Sequence, residues 1–94
     1  MVFQVKWSAR ARLSLIEIRD YIAAENPRGA RNVIREIVSR TKLLATQPLS
    51  SPVYEPAKDQ NVRHTVAGRY RVFYRVHPAE SRVEILTIWH SSRR

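Results

Sequence analysis

The sequence predicts an α+β protein of two layers: a helical hairpin packed on a four-stranded, mostly antiparallel sheet, in the order strand, helix, helix, strand, strand, strand. Three observations carry this. Residues 69–77, Arg-Tyr-Arg-Val-Phe-Tyr-Arg-Val-His, alternate with a period of two, so Tyr70, Val72, Tyr74 and Val76 share one face of a strand. Arg71, Phe73, Arg75 and His77 share the other face. Between Ser8 and Ala45, apolar residues recur at helical spacing and are interrupted once, at Asn26-Pro27. The runs before and after residues 69–77 are again rich in β-branched and aromatic residues, which fit a pleated surface.

The first strand is expected from Val2 to Trp7, with Phe3, Val5 and Trp7 on one face. Ser8 is placed to cap the helix that follows. In that helix Ala11, Leu15, Ile18 and Ile22 form a narrow apolar stripe, and Leu13 and Ile16 lie off it. They mark either a docking surface or packing against the second helix. Asn26 and Pro27 end one helix and open the next, because Pro disfavours helical backbone in the residue before it and fits the first helical position. The second helix is expected to reach about Ala45. Its broad apolar stripe includes Ala30, Val33, Ile34, Ile37, Thr41 and Leu44, and Arg28, Arg31, Arg35, Arg40 and Lys42 lie on its other surface. Pro48, Pro52 and Pro56 make residues 47–56 a loop. Val62 to Ala67 alternates and ends at the turn residue Gly68. Arg82 to His90 is apolar on both faces and forms a hairpin with residues 69–77 across Pro78.

At 94 residues the chain is expected to form one domain, residues 1–94. It has no cysteine, which excludes disulfides and thiolate metal sites, and neither a metal nor a cofactor is expected. No apolar run is long enough to span a membrane, and the N-terminal residues do not read as a signal peptide, so a cytoplasmic protein is expected. The net charge of +9 comes almost wholly from arginine, whose planar fork suits phosphates and carboxylates. Beyond a solubilising surface, two partners follow: a nucleic acid or nucleoprotein, or an acidic protein that covers the charge.

The first-helix pattern around Leu15, Ile18, Tyr21 and Ile22, then Pro27, Ala30 and the Pro48 loop, resembles the ParE/RelE toxin superfamily. So does the hairpin Gly68-Arg69-Tyr70-Arg71-Val72-Phe73-Tyr74-Arg75-Val76 followed by Val83-Glu84-Ile85-Leu86-Thr87-Ile88-Trp89-His90. The resemblance covers nearly the whole chain. It implies a toxin of a type II toxin–antitoxin pair, neutralised by an antitoxin whose C-terminal segment wraps it. Operator DNA would be reached only through the antitoxin. RelE-like members cleave mRNA on the ribosome, whereas ParE-like members inhibit DNA gyrase.

RNA cleavage needs a base, an acid and charge stabilisation at the phosphorane. By the resemblance Arg71 would stabilise the phosphate, and His90 would be the acid–base group at its near-neutral pKa. His64 and His77 are further candidates outside the matching positions. RelE-like enzymes carry more basic residues and a tyrosine beyond the last strand, where this chain has Ser91-Ser92-Arg93-Arg94. That difference favours a ParE-like gyrase inhibitor over a nuclease. A non-toxic relative that binds antitoxin as a co-repressor is a third expectation. Arg71, Arg75, His90, Arg93 and Arg94 are expected to meet the target. Leu13, Ile16, Arg69 and Tyr74 are expected to meet the antitoxin. The structural alternatives are a cross-strand Arg71–Glu84 pair and core roles for Tyr70, Tyr74 and Trp89.

Overall fold

The computed structural model describes residues 2–92. Strand β1 (Gln4–Trp7) leads into helix α1 (Ala9–Ala23), helix α2 (Pro27–Leu43) and strands β2 (Val62–Ala67), β3 (Tyr70–His77) and β4 (Arg82–His90). The strands lie in the order β1-β4-β3-β2, antiparallel except for the parallel β1–β4 pair. This is the expected architecture, with β3 and β4 central.

Local chemistry accounts for the element boundaries. The Ser8 hydroxyl accepts from the Ala11 N–H at 3.0 Å and donates to the Leu86 carbonyl at 3.0 Å. One side chain therefore caps α1 and ties its first turn to β4. The Leu86 carbonyl is available because β4 bulges there: Phe73 pairs with Thr87 but Tyr74 with Ile85, leaving Leu86 without a partner on β3. Asn26 caps α2 by accepting from the Gly29 N–H at 2.9 Å, with Pro27 in the first turn.

The core lies between the helices and one face of the sheet. Ala11 and Ile37 from the helices meet Val72, Tyr74, Val76, Val83, Ile85 and Ile88 from β3 and β4. Val72, Tyr74 and Val76, and Val83 and Ile85, are the inward set that the period of two requires, and the bulge at Leu86 shifts the next inward residue of β4 to Ile88. Phe73 keeps to the alternation but not to the exposure expected of that face. It lies on the opposite face yet is buried, because the loop after α2 folds over it.

That loop is fastened at three points. Tyr74 reaches through the core to donate its hydroxyl to the Pro48 carbonyl at 2.9 Å. Arg63 donates to the Ser51 carbonyl at 2.6 Å. Val53 bridges Arg63 as a short antiparallel contact on the outer edge of β2. Pro48 and Pro52 lie in irregular chain, but residues 47–56 are not all loop as expected, since Pro56 falls in a one-turn 3₁₀ helix (Glu55–Ala57), where its missing N–H is no loss; the edge of β2 is covered.

The turn between β2 and β3 has two central residues, Gly68 and Arg69, and only Gly68 has a positive φ, +61°. This matches a II′ hairpin turn, which wants Gly first. A Cβ on Gly68 would stand 2.9 Å from the Glu36 Oε1 atom. Gly68→Ala is expected to lower stability by ~1 kcal/mol in urea denaturation, mainly from left-handed backbone strain, since the Glu36 side chain can swing aside.

Candidate functional site

The face of the sheet turned away from the helices carries most of the candidate polar and aromatic side chains. Arg71, Phe73 and Arg75 project from β3 onto it, β2 adds His64, and β4 adds Glu84 and Trp89. Tyr54 closes over it from the loop. Its ring meets Phe73 edge-on at 4.9 Å and His64 edge-on at 5.5 Å. Phe73 in turn stacks on His64 at 5.9 Å and meets Trp89 at 4.8 Å. These four rings explain how Phe73 is buried without a helix above it, and they hold the neighbouring polar groups in fixed directions.

Beside the rings lies a cavity of about 240 Å³ bordered by Tyr54, Pro56, Arg71, Phe73, Trp89, His90 and Ser91. The two residues singled out for acid–base and phosphate chemistry, Arg71 and His90, thus come to one cavity. Their partners are specific. The Arg71 guanidinium lies 2.8 Å from His64 Nδ1. Arginine has no acceptor, so it donates and His64 must be neutral with its proton on Nε2. Burial, then the charge of Arg71, push the His64 pKa below its ordinary 6.5. His90 Nδ1 is engaged by Ser92, 3.2 Å from its N–H and 3.0 Å from its hydroxyl, and the ring meets Tyr70 edge-on at 5.1 Å.

Two expectations are corrected by register and burial. Arg71 does not pair with Glu84: it stands opposite Trp89, and it is Arg75 that stands opposite Glu84. Arg75 lies 3.9 Å from Glu84 and 3.4 Å from Asp59, and Glu84 also bonds His77 at 3.0 Å. Tyr74, expected on an antitoxin surface, is 0% exposed and belongs to the core. Its position on the inward face, with its hydroxyl aimed at Pro48, leaves no part of the ring for a partner. Tyr70 is a core residue, as the simpler reading has it, whereas Trp89 is 37% exposed at the cavity rim.

Leu13 and Ile16 do not pack away against α2; each is 45% exposed on the outer side of α1. Arg69 is exposed at the hairpin turn. It borders a separate groove with Tyr21, Tyr70 and His90, between α1 and the end of the sheet. Arg93 and Arg94 lie outside the described residues. Sequence reasoning names His64 only as a further candidate outside the family pattern, and it misses Tyr54, which it puts in an irregular loop. The readable signal for His64 is its place as a neighbour of Phe73 and Arg71 across β2 and β3.

The model of the family described as the ParE toxin of the type II toxin–antitoxin system, parDE, matches residues 5–94. The chain belongs to the ParE toxin family. It is therefore a toxin of a type II toxin–antitoxin system. No curated protein matches its sequence.

Solved structures share the ParE toxin fold. The chromosomal ParDE system from P. aeruginosa matches at TM-score 0.77 and 22% identity, over 95% of this chain and 96% of that one. The RelBE2 toxin–antitoxin complex from Mycobacterium tuberculosis matches at 0.70 and 20%, over 96% and 92%. The archaeal RelE–RelB complex from Pyrococcus horikoshii OT3 matches at 0.67 and 16%, over 100% of both. At these identities the likeness is one of fold.

The geometry of this ParE-family site yields a direct titration result. His64 should titrate below 6.5 in NMR spectra of the folded protein, and Arg71→Ala should raise that value without restoring it fully, because burial is the larger cause. A lowered histidine pKa means that the unfolded chain binds the proton first. The stability tied to His64 is thus complete above pH 6.5 and is lost as pH falls through 6.5 towards the lowered folded value.

Proposed function

We propose that this toxin inhibits DNA gyrase by binding rather than by cutting RNA, and that a cognate antitoxin holds it inactive in the cytoplasm. The observation that carries the reading is the engagement of the basic residues on the open face. Arg75 is shared between Asp59 and Glu84. Arg71 is turned onto His64, and the nearby ring nitrogen His90 Nδ1 is engaged by Ser92. A phosphorane needs several uncommitted positive groups and a poised acid and base, whereas a face of fixed rings and oriented arginines suits a protein or nucleoprotein surface. The match to the ParE family supports the same choice. In this reading Arg71, Arg75, His90, Arg93 and Arg94 meet the target.

In this reading the antitoxin lies along α1. Leu13 and Ile16 are exposed apolar residues at helical spacing, and the structures of like fold include toxin–antitoxin complexes. Arg69 would hold an acidic end of the same segment.

A ribosome-dependent mRNA endonuclease is the second reading, favoured by the meeting of Arg71 and His90 at an aromatic-walled cavity. One pair of assays separates them. Purified toxin added to a gyrase supercoiling reaction should stop supercoiling while leaving mRNA intact in a translating extract. Cleaved mRNA with normal supercoiling would overturn the proposal.

A further inference from the structure

The two helices present unlike surfaces to solvent. The outer side of α1 is apolar and mixed in charge, with Leu13, Ile16, Glu17 and Asp20 exposed. The outer side of α2 is a one-sided basic stripe. Arg28, Arg31, Arg35 and Lys42 are all exposed, at spacings of three, four and seven residues. Those spacings bring them to one side of the helix, along a line of ~21 Å at 1.5 Å per residue. The only acidic residue of α2, Glu36, faces the Gly68 turn instead.

Elsewhere on this toxin some arginines have carboxylates, while Arg10, Arg12 and Arg69 are exposed with none within 4.0 Å among the described residues. Arg19 pairs with Asp20 and Arg82 with Glu80, each at 3.0 Å. Among the described residues no carboxylate lies within 4.0 Å of Arg28, Arg31, Arg35 or Lys42. Arg35 makes a 3.3 Å bond to Asn32, which is neutral. A self-contained solubilising surface intersperses both signs; this one leaves four cations in a row uncompensated.

We infer that the outer face of α2 is a second binding site, which takes the phosphate backbone of duplex DNA independently of sequence. Charge complementarity selects phosphate, and arginine matches it with paired N–H donors. A protein partner is disfavoured because interface centres are rich in aromatic and apolar residues and poor in charge, and this stripe has no exposed apolar anchor. Leu43, the exposed apolar residue at the helix end, lies to one side of it. Single-stranded nucleic acid is disfavoured because it needs rings to stack on, and the rings of this protein are in the core, on α1 or on the open sheet face. A straight row of cations fits a stiff duplex. The inference rests on and extends the gyrase reading, since gyrase acts on duplex DNA. It gives the toxin its own grip on DNA, where the family resemblance puts DNA contacts on the antitoxin alone.

The test uses the full chain, a fluorescent 20-base-pair duplex of arbitrary sequence and anisotropy titrations between about 50 and 200 mM salt. Wild type should bind with a steep salt dependence. The triple variant Arg28→Gln, Arg31→Gln, Arg35→Gln should weaken binding more than tenfold at the low-salt end. It should also reduce the log–log salt slope by roughly 3, near one for each phosphate no longer neutralised. The control Lys6→Gln, Arg19→Gln, Lys58→Gln removes the same three charges from other positions and should weaken binding by no more than about threefold, the general field effect. Equal losses in both variants, or no binding by wild type, overturn the inference. So does tighter binding of an RNA hairpin through the same residues, or a loss of antitoxin affinity in the α2 variant with DNA affinity unchanged. Because no gyrase is present, failure here leaves the supercoiling assay to judge the gyrase reading separately.

Discussion

Tyr74→Ala is expected to leave the protein largely unfolded at physiological temperature. Tyr74 is the largest of the fully buried side chains, and it contacts both the helices and the loop after α2. Removing a buried aromatic ring costs about 3–5 kcal/mol. A domain of this size has a total stability of roughly 5–14 kcal/mol, so one residue carries a large part of the margin. Far-ultraviolet circular dichroism and urea denaturation should show a collapsed transition midpoint. Tyr74→Phe separates the two roles of the ring. It keeps the packing and deletes only the bond to Pro48, so it should cost about 0.5–1.5 kcal/mol and loosen the loop that carries Tyr54. A full loss of structure in Tyr74→Phe would show that the bond, not the ring, dominates. Burial also pushes the Tyr74 phenol above its ordinary 10. The unfolded chain then releases that proton first, and stability falls as pH rises through 10 towards the raised folded value.

The second large effect belongs to α1. In Leu13→Glu with Ile16→Glu, affinity for the antitoxin should fall by about 100-fold or more, ~2.7 kcal/mol, because two apolar anchors are replaced by charges that an interface would have to bury. The folded toxin itself should be nearly unaffected, within about 0.5 kcal/mol, because both positions are already half exposed. Calorimetric titration of antitoxin measures the first quantity and thermal denaturation the second. In cells, co-expressed antitoxin should no longer rescue growth. Unchanged affinity would remove these residues from the interface and leave the groove around Tyr21 and Arg69 as the place to look.

The order of elements is legible in the sequence because each signal is local. The alternation of residues 70–76, the Asn26-Pro27 break and the Gly68 turn each need only a few neighbouring residues to be read. The site is legible only in part, because its assembly is not local. Arg71 and His90 stand out as candidates, and the fold does bring them to one cavity. Strand alternation puts Phe73 on the correct face but does not reveal its burial, since nothing in residues 69–77 says that Tyr54 will cross the sheet and cover it. Register is the other obstacle. Which arginine faces Glu84 depends on the length of the turn at Pro78, and the bulge at Leu86 then sets Arg71 opposite Trp89; a shift of one residue changes every cross-strand partner beyond it. For Tyr74 two signals conflict: its place in a motif suggests an interface, while its own period puts it among the inward side chains. The period wins.

The parallel pairing of β1 with β4 has a consequence for how the molecule comes into being. β4 lies between β1 and β3, so the sheet has a gap at its centre until residue 90 has been made. Strand β1, made before the other elements described, waits for β4, made after them, before its edge is paired. Contacts so distant in sequence carry a large loop-closure cost and slow the folding of a small domain. A nascent chain on the ribosome therefore lacks both the closed core and the assembled open face until synthesis of β4 is complete. That interval is one in which an antitoxin already present can meet the toxin as it folds.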